Sequence, residues 1–184
     1  MDSFNLDGVN LDGLNLRGKR ITVVGAGISG RELALMARRL GARVFVSEVG
    51  PVSAAASDLF RGSGIDWEGE GHTERAFQAD ALLLSSGIPP RAEVVQGAKR
   101  RGIPLIGELD LVAPHIRGKL VAVTGSNGKS TVTSLIGHML RRAGRNVGVG
   151  GNLGTAASTF TDRDFDAVVL ELSSFQLARA SVLS

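Results

Sequence analysis

Twice along its 184 residues this chain places a short run of mostly branched apolar residues directly before a glycine loop and a helix-periodic segment. The first unit is Ile21-Thr22-Val23-Val24 followed by Gly25-Ala26-Gly27-Ile28-Ser29-Gly30. The second is Leu120-Val121-Ala122-Val123 followed by Thr124-Gly125-Ser126-Asn127-Gly128-Lys129-Ser130-Thr131. A strand that turns through glycine into a helix sets free backbone N–H groups and the positive end of the helix dipole at the turn. Repetition of that unit is the signature of an α/β fold, a parallel sheet with helices on its faces. The chain has 25 glycines, well above an average share of roughly 7%, and both loops draw on them.

The remaining pattern extends this architecture. Apolar runs predict strands at residues 21–24, 43–47, 79–84 and 104–106. Helices are expected after Gly30, at 53–60 and at 92–101. The rhythm restarts near Gly118, with strands at 120–123, 146–149 and 166–171 and a short helical stretch from Phe175. Val132, Leu135, Ile136, Met139 and Leu140 mark an amphipathic helix after the second loop. The stripes Leu33, Met36, Leu40 and Leu135, Met139 are expected in the core. Three divisions follow: an extension at 1–18, a first domain at 19–114 and the front of a second at 115–184. The extension holds three five-residue repeats ending at Gly8, Gly13 and Gly18, too few to bury a core by stacking.

Composition narrows the function. No cysteine is present, which removes disulfides, thiol catalysis and thiolate metal sites. No stretch is long and apolar enough to span a bilayer, and the polar start carries no secretory pattern; a cytoplasmic chain with no membrane partner is expected. The net charge is +3, but the basic clusters around Arg38-Arg39, Lys99-Arg100-Arg101 and Arg141-Arg142 each precede a glycine. That is the chemistry of helix C-termini, not of nucleic-acid binding.

Three sites carry chemistry. In the first loop, Gly25 allows the tight turn, Gly27 admits a diphosphate and Gly30 permits close helix–strand packing. Glu48 ends the second strand where a ribose-binding acid would sit. In the second loop, Gly125, Ser126, Asn127 and Gly128 can wrap phosphate oxygens with backbone N–H groups. Lys129 can reach the β/γ-phosphates, and Ser130, followed by Thr131, can face Mg²⁺. The third site is Glu171, an acid at the end of an apolar strand and a candidate Mg²⁺ ligand, although an exposed acid ending a strand is as common. His72, His115 and His138 lack metal-ligand spacing, and Trp67 is expected to pack rather than stack on a base. Taken alone, the first loop also suits an NAD-dependent oxidoreductase, and the repeat suits a non-catalytic nucleotide-binding module.

The chain resembles the Mur ligase family, in its D-glutamate-adding branch. Thr124 to Thr131 is similar to the family's T-G-T-N-G-K-S-T loop, with Ser126 for the second threonine. Glu171-Leu172-Ser173-Ser174-Phe175-Gln176-Leu177 matches E-L-S-S-F-Q-L, and Gly150 to Gly154 matches G-G-N-I-G. Gly107 to Leu111 resembles G-E-I-E-L, and Ser85 to Pro89 resembles S-P-G-I-P with Ser86 in place of a proline. The resemblance implies a Rossmann-like parallel-sheet domain binding the UDP part of a substrate, followed by the first part of a P-loop-type ATP-binding central domain. Gly27, Ile28, Ser29, Glu48, Ser85, Gly87 and Asn152 would contact UDP-N-acetylmuramoyl-L-alanine. Residues 125–131 would hold ATP, with Lys129 and Glu171 catalytic and Ser130 and Glu171 on Mg²⁺. The implied reaction joins D-glutamate to the L-alanine carboxyl through an acyl phosphate, in a monomeric enzyme. The D-glutamate site and the rest of the ATP domain match nothing in these residues, so the chain alone is expected to lack turnover.

Overall fold

The computed structural model describes residues 15–177 and 179–180 and divides into two compact units, Met1–Glu108 and Leu109–Ser184. The first two repeats of the extension lie outside the described residues. In the third, Leu16 is buried and the Gly18 N–H donates to the Gly41 carbonyl at 2.8 Å.

The first unit contains five strands: β1 (Arg20–Val24), β2 (Arg43–Ser47), β3 (Asp66–Glu68), β4 (Ala81–Leu84) and β5 (Leu105–Gly107). Helices α1 (Ile28–Arg39), α2 (Ala54–Gly62) and α3 (Glu93–Arg100) connect them. All pairs are parallel, in the order β3-β2-β1-β4-β5. The order reverses between β1 and β4, so the crevice at their carboxyl ends is a topological switch point, where open α/β sheets bind ligands. Residues 81–84 of β4 are all buried, as the centre of a sheet covered on both faces requires. On one face Leu82 and Leu84 pack with Val24, Val94, Val95 and Ala98. α1 buries Leu33, Met36 and Ala37, while Leu40, expected in the core, is half-buried at the cap.

Strand β3 is not legible in the sequence: three residues, two of them charged, give no apolar alternation. It is an edge strand, and side chains hold it. Glu68 accepts hydrogen bonds from the Ser47 hydroxyl at 2.7 Å, the Thr73 N–H at 3.0 Å and the Thr73 hydroxyl at 2.5 Å. Ser47 Oγ lies 2.7 Å from His72 Nδ1. With its one proton given to Glu68, Ser47 accepts from His72, whose Nδ1 therefore carries the hydrogen. Burial holds His72 below the usual imidazole range, against the opposing pull of Glu68, Glu48 and Glu93. Trp67 packs as expected, its ring 5.9 Å from that of Phe60.

The second unit contains β6 (Arg117–Val123), α5 (Lys129–Arg142), β7 (Val147–Gly151), β8 (Asp164–Glu171) and α6 (Ser174–Leu177), with the short α4 (Glu108–Val112) spanning the division. Its strands are parallel in the order β6-β8-β7. Val123, Val147 and Val169 form one core cluster, with Ile136 and Leu140 of α5 packed against them. The expected stripe on α5 is corrected here: Leu135 and Met139 are 54% and 61% exposed. The helix turns Thr133 and Gly137 inward instead. A Cβ on Gly137 would stand 2.4 Å from Val149 Cγ2, so the missing side chain lets the helix sit close to β7 along that line. The basic pairs Arg38-Arg39, Lys99-Arg100 and Arg141-Arg142 fall in the last turns of α1, α3 and α5.

Two stability predictions follow from this packing. A Cβ on Gly30 would lie 1.9 Å from the Gly25 carbonyl oxygen; Gly30→Ala should destabilise by about 1–3 kcal/mol, read by denaturant unfolding. Burial pushes the Glu68 carboxyl up, but hydrogen bonds from Thr73 and Ser47, with Arg75 nearby, outweigh it and hold the group below the usual range. A carboxyl depressed in the folded state contributes stability above its unfolded pKa of about 4.3 and loses it as pH falls through the folded value. Glu68→Gln should therefore flatten the acid limb of the stability profile below about pH 4.5, with little change in its shape near neutrality.

Candidate functional site

Each unit gathers candidate residues at the carboxyl ends of its strands. In the first, the loop after β1 turns at Gly25, and Gly27 caps α1 with no side-chain cap. Space beside Gly27 is open, as it is beside Gly87. Ile28 is 58% exposed. Glu48, directly after β2, accepts from the Ala26 N–H at 2.6 Å and from the Gly50 N–H at 3.2 Å. Its carboxylate thus grips the glycine loop itself. Ser85, following β4, donates its hydroxyl to the Val24 carbonyl at 2.9 Å, and Ser29 donates to Glu108 Oε2 at 2.8 Å. Gly27, Ile28, Ser29, Glu48 and Ser85 are therefore brought to one end of the sheet around the switch point, with Gly87 two residues past Ser85.

In the second unit, Val123 and Gly151 both pair with Glu171 in register. Parallel pairing therefore sets the Gly125 loop and the Gly151–Gly154 loop on either side of Glu171. Gly128 opens α5 at φ +73°, a conformation that costs glycine little. Lys129 Nζ donates to the Gly125 carbonyl at 2.9 Å. Ser130 Oγ donates to Glu171 Oε2 at 2.7 Å, across 41 residues of sequence, and Glu171 is buried. The Asn152 N–H donates to the Glu171 carbonyl at 3.0 Å. Ser126, Asn127 and Thr131 are exposed on the loop and first turn. A hydroxyl and one carboxylate are hard oxygen donors of the kind Mg²⁺ takes together with substrate phosphate oxygens. Among the described residues no group of three or more His, Cys, Asp and Glu forms a metal cluster.

Two groups at these sites escaped the sequence reading. Glu108, buried and bonded to Ser29, lies in the motif-like Gly107–Leu111 segment, but no role could be assigned to it there because its partner is 79 residues away. The Ser173–Gln176 pair did have one. Gln176 Oε1 accepts from the Ser173 N–H at 2.9 Å, and Ser173 Oγ accepts from the Gln176 N–H at 3.2 Å. This reciprocal capping box of form S-x-x-Q fixes the turn that follows Glu171. His115 Nδ1 contacts the Leu111 carbonyl at 2.9 Å, and His138 is exposed on α5.

Comparison with known proteins assigns both parts of the chain to one family. Residues 20–94 match the family model described as the MurD N-terminal domain, and residues 123–184 match the Mur ligase middle domain. The UDP-N-acetylmuramoylalanine–D-glutamate ligase of Christiangramia forsetii is 39% identical over 162 residues, covering 87% of this chain and 36% of that protein. The enzyme of the same name from Acidobacterium capsulatum is 42% identical over 165 residues, with 87% and 36% covered. The chain thus spans about a third of the length of these relatives. The pseudomurein peptide ligase type C of Methanothermus fervidus superposes with a TM-score of 0.51 at 23% identity, over 85% of this chain and 33% of that one. The UDP-N-acetylmuramate–alanine ligase of Thermotoga maritima gives 0.51 at 22% identity, over 84% and 37%. These two likenesses bear on the fold. With its two units matched in order by the family's N-terminal and middle domains, the chain belongs to the Mur ligase family.

Proposed function

We propose that the chain carries the UDP-substrate-binding and ATP-binding parts of a ligase that joins D-glutamate to UDP-N-acetylmuramoyl-L-alanine. The observation that carries this reading is the contact of Ser130 with Glu171 at 2.7 Å beside Lys129, a phosphate loop and an acid meeting at one sheet end. The similarity to D-glutamate ligases supplies the substrates. In the first unit, the α1 N-terminus, Gly27, Ile28, Ser29, Glu48, Ser85 and Gly87 bind the UDP moiety. In the second, Asn152 contacts the sugar-peptide part of the substrate.

ATP lies on the Gly125–Thr131 loop. Its phosphates compete with the Gly125 carbonyl for Lys129 and take the N–H groups at the start of α5. Ser130 and Glu171 hold Mg²⁺, which when bound neutralises phosphate charge. The L-alanine carboxylate attacks the γ-phosphorus and ADP leaves. The D-glutamate amine then attacks the acyl phosphate, forming the amide and releasing phosphate and a proton. Both partners of the first step are anions, so the basic loop lowers their repulsion while the binding residues hold them in line. The same reading places the protein in the cytoplasm with these soluble substrates. No described residue is assigned to D-glutamate, so the 184-residue chain should bind nucleotides without forming amide.

Calorimetric titration tests this directly. Mg-ATP binding should weaken about tenfold or more in Lys129→Ala, as expected for a lost charged hydrogen bond, with melting unchanged. Glu171→Gln should remove the Mg²⁺ dependence of ATP affinity. A folded wild-type chain that binds neither UDP nor UDP-N-acetylmuramoyl-L-alanine would overturn the assignment of the first unit. Amide formation by the isolated chain would overturn the prediction of no turnover.

A further inference from the structure

The first glycine loop meets two carboxylates, neither from its own helix. The first turn of α1 contains no acid. Glu48, after β2, takes the Ala26 N–H. Glu108, after β5 and only 5% exposed, takes the Ser29 hydroxyl. The second serine of the crevice, Ser85, donates to Val24. A hydroxyl carries one proton, so Ser29 and Ser85 can offer a ligand only lone pairs. Backbone N–H groups of the first turn of α1, which have no intrahelical acceptor, remain as donors.

This divides the crevice by polarity. Phosphate oxygens are drawn to the helix end, where N–H groups and the dipole favour them. The serine oxygens and carboxylates accept hydrogen bonds and repel phosphate, so they suit the hydroxyl and imide N–H groups of a nucleoside. Without Glu108, the Ser29 hydroxyl could rotate and donate to a phosphate, and the distinction would be lost.

We propose that Glu108 is a positioning residue of the nucleotide site: by accepting the Ser29 proton it fixes that oxygen as an acceptor for a donor group of a uridine nucleotide. This rests on the UDP-binding reading of the first unit. Glu108 acts through Ser29, and its effect on affinity must therefore vanish when Ser29 is gone.

The test is a double-mutant cycle on the full chain, with UDP as the titrated ligand and thermal melting recorded for each variant. Ser29→Ala and Glu108→Ala should each weaken UDP binding about fivefold, the loss of one hydrogen bond. The double variant should be no weaker than either single one. Glu108→Gln, whose side-chain carbonyl can still accept the Ser29 proton, should retain wild-type affinity within about twofold, a small fraction of one hydrogen bond. A merely structural Glu108 would lower the melting temperature and give losses that multiply. Multiplying losses, or wild-type affinity in Ser29→Ala or Glu108→Ala, would overturn the proposal. Should Glu108→Ala fail to fold, Ser29→Ala and Glu108→Gln still decide it, since unchanged binding in the first or lost binding in the second refutes it. Failure of the folded wild type to bind UDP would overturn the underlying reading and the proposal with it, and is distinguishable because it appears before any substitution.

Discussion

Parallel pairing is the constraint on which the rest depends. In both sheets every strand runs the same way, so every strand delivers its following loop to the same edge. In the second unit this places loops from β6 and β7 on either side of Glu171. In the first it brings the loops after β1, β2 and β4 together at the point where the strand order reverses. A ligand site assembled from distant sequence positions follows from sheet direction before any side chain is considered.

Hydrogen bonds to carboxylates then set the detail. Glu48, Glu68, Glu108 and Glu171 each accept from a backbone N–H or a serine hydroxyl at 2.6–2.8 Å. Burying a carboxylate is costly unless donors surround it, and each of these acids has them. The donors in turn lose their freedom to rotate. Serine 47 orients His72, Ser29 is fixed on the first glycine loop, and Ser130 is held against Glu171. The loops gain definite polarity because their hydroxyl protons already have acceptors.

Much of this was legible in the sequence. The extent of β2, the glycine loops and the position of Glu171 followed from apolar runs and turn residues, which act over a few positions. Gly30 was readable as a close-packing glycine because a helix leaving a tight turn must pass near the strand it follows. The capping box at Ser173 and Gln176 was equally local, and its spacing was available to be read. The inner face of α5 was not. Apolar periodicity gives a helix several candidate faces, and the one facing β7 was chosen by Gly137, whose missing side chain allows the closest approach.

The sequence by itself determined the α/β class, the two glycine loops and the family resemblance, because strand propensity, turn chemistry and motif spacing are local properties. Tertiary structure alone decided the strand order, the edge strand β3, the exposure of Leu135 and Met139, and the pairing of Ser29 with Glu108 and of Ser130 with Glu171. Those outcomes depend on which distant elements meet, and sheet pairing and side-chain packing settle that only when the whole unit closes.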